Sequence, residues 1–210
     1  MNILAVDTSS VYLSLAVMKN GKIVSRLHKK AAMAHSSILV PSIDKVLKAA
    51  RLNIKDIDVF AISVGPGSFT GLRIGVTTVK GLAYSLDKKI TAIPTLDVIA
   101  RNAKKFQGII CPILDARKGK VYSCLYRSDG KYVKKISPYL LMTMGELKAK
   151  LAKYDKIYYL GDMIGSKNWF PKAEIVAELA LEEIKRKHFV SPEGLEPMYL
   201  YSRECDIKGR

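Results

Sequence analysis

Apolar residues run unbroken from Ile3 to Val6 and stop at Asp7, the pattern of a buried strand that ends on a carboxylate. A second run from Val11 to Val17 and a third stretch from Lys22 to His28 are joined by Asn20-Gly21, a tight-hairpin dipeptide, so the chain opens as a three-stranded meander. Ile38, Leu39, Ile43, Val46 and Leu47 then recur at helical spacing between His35 and Ala50. Ser36 or Ser37 is placed to cap that helix, and Pro41 to kink it or mark its start. Ile57 to Val64 reads as a buried strand and Gly65 to Phe69 as a tight loop. Thr70 to Leu86 reads as a helix with only Arg73 and Lys80 charged, which demands burial on most sides. A short strand over 89–93 and a helix over 96–105 close the first half.

The pattern then begins again. Leu4-Ala5-Val6-Asp7, Val11-Tyr12-Leu13-Ser14-Leu15 and Asn20-Gly21-Lys22 have counterparts in Pro112-Ile113-Leu114-Asp115, Val121-Tyr122-Ser123-Cys124-Leu125 and Asp129-Gly130-Lys131. A helix over 144–153, a strand ending in Leu160-Gly161-Asp162 and a helix over 173–187 follow. Two copies of one unit predict two pseudo-symmetric α/β lobes, 1–106 and 107–210, facing across a cleft.

With 210 residues, 49% hydrophobic and 26% charged, the chain can bury a sizeable core without metal or disulfide staples, which excludes collagen-like, disordered and stapled mini-protein classes. No apolar run is long enough to span a bilayer and Asp7 interrupts the first one too early for a signal peptide, so a soluble cytoplasmic protein without membrane contact is expected. Cys111, Cys124 and Cys205 are too far apart for a redox or zinc motif and read as reduced thiols. The net charge of +16, from 35 basic and 19 acidic residues, divides into +10 over 1–105 and +6 over 106–210. The cations are mostly Lys, without Arg clusters interleaved with aromatics. That pattern predicts weak, non-specific electrostatic help in holding RNA and no reading of its sequence.

The candidate chemistry is sparse. Gly65-Pro66-Gly67 fails as a dinucleotide fingerprint because its third glycine position is Thr70, and no Gly-Lys-Ser/Thr follows to make a phosphate loop. Gly71, Gly75, Thr78 and Gly81 put small residues along one helix, which suits either close packing in the chain's own core or close approach of a partner. Asp7-Thr8-Ser9 and the equivalent Asp115 could hold phosphate and a Mg²⁺ water in two facing turns, although the same residues are ordinary in hairpin turns. His35 has Leu39 four positions on, so the helical histidine pair of a metal site is incomplete.

One segment is specific. Ser63-Val64-Gly65-Pro66-Gly67-Ser68-Phe69-Thr70-Gly71-Leu72-Arg73-Ile74-Gly75, with Ile3 to Ser9 before it and Asp115 to Tyr122 after it, resembles the TsaB (YeaZ) family over almost the whole chain. His35, Glu196-Pro197 and Tyr199-Leu200 also match, while Tyr201 stands where the family usually has Arg. The resemblance implies an actin/Hsp70-like (ASKHA) fold of two duplicated lobes. It implies a non-catalytic subunit in making threonylcarbamoyladenosine at position 37 of tRNAs that read codons beginning with A. Its partners would be the transferase TsaD and the ATPase TsaE, with a homodimer through the N-terminal lobe when alone and tRNA held weakly or indirectly. No cofactor is implied for the chain itself, and ATP with Mg²⁺ only at the level of the complex. The partner surface expected on this basis takes in His35, Phe69, Gly71, Gly75, Thr78 and Gly81, with Asp7, Thr8, Ser9 and Asp115 as a reduced nucleotide site. The alternative is a stand-alone ATP hydrolase or metallopeptidase-like enzyme.

Overall fold

The structure, a computed structural model, describes residues 1–31, 34–165 and 169–200. The chain divides into two compact units, the first made of 1–98 and 170–197, the second of 99–169 and 198–210.

In the first unit β1 (Asn2–Asp7), β2 (Tyr12–Lys19) and β3 (Lys22–Lys30) form the antiparallel meander that the apolar runs and Asn20-Gly21 anticipate; β4 (Val59–Gly65) and β5 (Lys89–Pro94) add in parallel. The strand order is β3-β2-β1-β4-β5. α1 (His35–Ala49) and α2 (Phe69–Ser85) pack on one face of this sheet. The other face, through Ile3, Ala5, Ala16, Met18, Val59, Ala61 and Ile93, buries against α5 (Ala173–Lys185). Sequence reading placed that last helix in a second lobe of 107–210. In the structure it returns to the first sheet, because its Ala173, Val176, Ala177 and Ala180 offer the small apolar stripe that lets a helix lie close on strands. β2 also caps it: the Ala173 backbone N–H, an orphan donor of the first turn, donates to Ser14 Oγ at 2.9 Å.

α1 starts after Ala34 with no side-chain cap; Ser37 Oγ instead donates to the Ala34 carbonyl, so neither serine caps as the sequence suggested. Pro41 is tolerated inside the helix on its exposed side. α3 (Thr95–Arg101) leads out of β5.

The second unit repeats the first, as the registers show. β6 (Gln107–Asp115) pairs antiparallel with β7 (Lys120–Ser123) and with β8 (Tyr126–Asp129) in one continuous register, from Gln107↔Asp129 to Asp115↔Val121, so β7 and β8 are one strand interrupted once. The interruption has a cause. Leu125 turns its N–H to Ser137 Oγ and its carbonyl to the Ile136 N–H, away from β6. The adjacent position, Cys124 opposite Pro112, is therefore the one that should bond to β6, and Pro112 has no N–H to give. β9 (Val133–Lys135) and β10 (Leu140–Thr143) likewise make up a broken third strand, pairing β8 and β7. After α4 (Met144–Leu151), β11 (Ile157–Leu160) adds parallel to β6. Meander, helix and parallel strand thus recur in the same order and sense as β1 to β4, which is the duplicated actin/Hsp70-like architecture. The Val-Tyr pairs singled out in the sequence do not superpose: Val121 faces Asp115 as Ser14 faces Asp7, while Val11 lies in the turn and is exposed.

Candidate functional site

The turn after β1 is the most heavily buried polar region of the first unit, with Asp7, Thr8, Ser9 and Ser10 all in the interior. Asp7 Oδ1 accepts the Ser9 N–H at 3.1 Å and the Ser9 hydroxyl at 3.0 Å, a local turn that fixes the backbone immediately after the strand. Burial of the carboxylate pushes its pKa up to about 6, and the bonds from Ser9 offset only part of that cost. The Ser63 side chain also favours the charged form, yet its Oγ has no partner of good geometry.

α2 sits directly on this turn. The Ser9 carbonyl accepts the Ser68 N–H at 2.7 Å, Ser68 Oγ accepts the Gly71 N–H at 3.3 Å, and the Gly65 N–H donates to Thr95 Oγ1 at 3.1 Å. Two N–H groups at the N-terminus of α2, the usual place for an anion, are thus engaged by a carbonyl and a hydroxyl of the chain itself. A Cβ on Gly67 would collide with the Ser9 carbonyl, one on Gly71 with the Thr8 carbonyl and one on Gly75 with Thr8 Oγ1. These glycines exist for backbone approach. Gly71 and Gly75, expected to face a partner, therefore face inward. Phe69 and Gly81 lie on the exposed side of α2, with Thr78 half-buried between. Phe69 carries the Arg73 guanidinium 3.8 Å over its ring, a cation–π pair.

The same residues are engaged within the chain. Both oxygens of Asp7 accept from Ser9, the Thr8 side chain is pressed on Gly75 with an unpartnered Oγ1, and carbonyls rather than N–H groups point at the small-residue helix. Asp115, the counterpart of Asp7, is in the second unit: half-buried, it pairs with Arg117 at 3.1 Å and accepts the Arg117 N–H at 2.7 Å. Its own N–H donates to Asp162 at 3.0 Å, and burial with the nearby Asp115 charge raises the Asp162 pKa. His35 is buried at the first residue of α1, its Nε2 3.3 Å from the Tyr12 carbonyl. Among the described residues no three His, Cys, Asp or Glu side chains are grouped to hold a metal ion. Cys111 and Cys124 are free and buried, and burial pushes the Cys111 thiol up to about 11, out of reach of the thiolate state. Cys205 and Tyr201 lie outside the described residues. No helix among the described residues is long and apolar enough to cross a membrane.

Sequence reading missed Ser63, Ser68 and Thr95. Only Ser68 carried a signal, a serine directly before the helix at the N-cap position.

Comparison with known proteins agrees with the repeated α/β fold. Residues 26–181 match the family model described as TsaD: tRNA N6-adenosine threonylcarbamoyltransferase. The tRNA threonylcarbamoyladenosine biosynthesis protein TsaB of Bacillus subtilis is 30% identical, over 99% of this chain and 97% of its own. A tRNA N6-adenosine threonylcarbamoyltransferase from Kosmotoga olearia is 33% identical over 44% of this chain and 33% of its own. The solved YeaZ of Pseudomonas aeruginosa superposes with a TM-score of 0.78 at 23% identity, covering 95% of this chain and 99% of that one. A full-length relative and a repeated meander that seals its first turn converge on one conclusion: the chain belongs to the TsaB family of tRNA threonylcarbamoyladenosine biosynthesis proteins.

Proposed function

We propose that this chain is the non-catalytic scaffold and activating subunit of the complex that forms threonylcarbamoyladenosine in tRNA, acting through a TsaD-type transferase. The observation that carries the reading is the sealed turn. Asp7, Thr8 and two N–H groups at the α2 N-terminus, which could otherwise position a phosphate or a metal, are engaged in bonds and close contacts within the chain. A catalyst needs positioned groups left over for substrate. The outward side of α1 and α2 meanwhile leaves large apolar side chains in solvent, Val40 at 56%, Phe69 at 53% and Tyr84 at 71% exposed, as a surface for a protein partner does. On this reading the chain needs no cofactor of its own, ATP and Mg²⁺ act in the complex with TsaD and a TsaE-type ATPase, and the isolated chain pairs with a second copy through the same helices.

Reconstituted modification of unmodified tRNA, with and without this chain, is the test. The transferase is expected to need the chain, and the chain alone to transfer nothing, turn over no ATP and cleave no peptide. Transfer by the chain alone, or full activity without it, would overturn the reading.

A further inference from the structure

The charge that looks evenly spread along the sequence is not spread in space. Because α5 carries Glu174, Glu178, Glu182 and Glu183 back to the first unit, the described residues there hold 17 Lys and Arg against 12 Asp and Glu. The described residues of the second unit hold 14 against 5 in little more than half the length. Four of those five carboxylates, Asp115, Asp129, Glu146 and Asp162, accept backbone N–H groups in turns and caps.

Five of the cations lie on or beside one face of the sheet. Leu147 and Leu151 of α4 pack on Ile109, Cys111 and Ile113, which fixes the sheet face that α4 covers. Arg127 is the register partner of Ile109, and Lys134 that of Arg127, so both side chains lie on this face. Like charges directly opposite one another on paired strands are destabilising, and here no described carboxylate lies within ion-pair distance of either. Lys148 and Lys150 are exposed on α4, and Lys153 is exposed just beyond its C-terminus. Tyr159, register partner of Cys111, adds a ring 40% exposed to the same face.

We infer that the α4 face of the second unit, through Arg127, Lys134, Lys148, Lys150 and Lys153, is a docking surface for the phosphate backbone of RNA. Cations without an ion-pair partner, arrayed over a sheet and a helix, bind a polyanion by charge and release its counterions. An exposed tyrosine adds a stacking platform for a base at a bend or loop. The choice of RNA over an acidic protein rests on the proposed role in a tRNA-modifying complex.

Fluorescence anisotropy with an unmodified tRNA transcript, at low and physiological salt, tests this with the full chain. Arg127→Gln/Lys134→Gln/Lys150→Gln is expected to weaken binding at least tenfold and to make the log–log salt dependence shallower by about two to three. Lys22→Gln/Lys30→Gln/Lys55→Gln, an equal charge change on the exposed first unit, is expected to weaken it less than threefold. All six side chains are exposed, and an unchanged unfolding midpoint checks that both variants fold. Equal losses in the two variants, or displacement of the tRNA by poly-glutamate as readily as by unlabelled tRNA, would overturn the inference. The same variants in the modification reaction separate it from the scaffold reading. A wild-type chain that binds through this face yet does nothing for the transferase defeats only the role, and a first variant that binds normally defeats only the surface.

Discussion

The turns after β1 and β6 stand at equivalent places in a duplicated unit, each beginning with an aspartate, and they have opposite fates. Asp7 is wholly buried beneath α2, whereas Asp115 keeps part of its surface and pairs with the exposed Arg117. What separates them is the element that follows the first parallel strand. β4 runs into a loop and a glycine-lined helix that closes on the turn, while β11 ends in a short 3-10 turn over Asp162–Ile164, from which the Asp162 carboxylate accepts the Asp115 N–H. One carboxylate position therefore serves packing in one copy and surface ion pairing in the other.

Substitutions that reopen the sealed turn should be the most damaging. Gly75→Leu drives a side chain into Thr8 and Ile62 and is expected to cost about 3 kcal/mol in urea unfolding, the upper end for overpacking. Gly81→Ala, where a Cβ meets open space, should instead gain about 0.5–1 kcal/mol from helix propensity. Equal effects would mean that α2 does not sit on the turn.

A second difference lies in pH. Asp7 has a folded pKa of about 6 against an ordinary 3.8, so the proton is held more tightly in the folded state. Below about pH 4 the group is protonated in both states and costs nothing. As pH rises from about 4 to 6 the unfolded chain ionises first, and about 3 kcal/mol of stability is lost. Asp7→Asn keeps the acceptor for Ser9 and offers a donor to the unpartnered Ser63 Oγ. It should be more stable than wild type at pH 7 by about 2 kcal/mol and should flatten the loss between pH 4 and 6. Stability curves at pH 4.5 and 7 check both.

The smallest test contrasts the helices that cross between the third and fourth strands of each copy. Thr143 caps α4 in a reciprocal box, accepting the Glu146 N–H at 3.3 Å while Glu146 accepts the Thr143 N–H at 2.7 Å. Thr143→Ala should cost about 1 kcal/mol, and Ser36→Ala, at the uncapped start of α1, should cost nothing measurable by the same unfolding curves.

Strands, helices and the repeat were legible because each rests on local period and on turn residues such as Asn20-Gly21 and Asp129-Gly130. The register of the repeat was not. The Val-Tyr likeness is a coincidence of composition, and only the pairing of Asp7 with Ser14 and Asp115 with Val121 aligns the copies. Asp7, Thr8 and Ser9 were found as a group, but whether a buried aspartate faces solvent or a helix depends on where Gly71 and Gly75 point, a tertiary fact that composition leaves open. The assignment of α5 was missed for the same reason: an amphipathic helix shows that it has an apolar face and not which sheet it covers.

The return of α5 bears on how the protein is made. The second unit's sheet and α4 are encoded without interruption between 99 and 169, so they can close as soon as they leave the ribosome. The first unit, although synthesised earlier, waits for residues 173–185 to cover Ile3, Ala5, Ala16 and Met18. Contacts of such long sequence separation form late. The nascent chain thus carries one uncovered face of its first sheet through most of translation, and a chain stopped near residue 169 should be held in solution only by a chaperone.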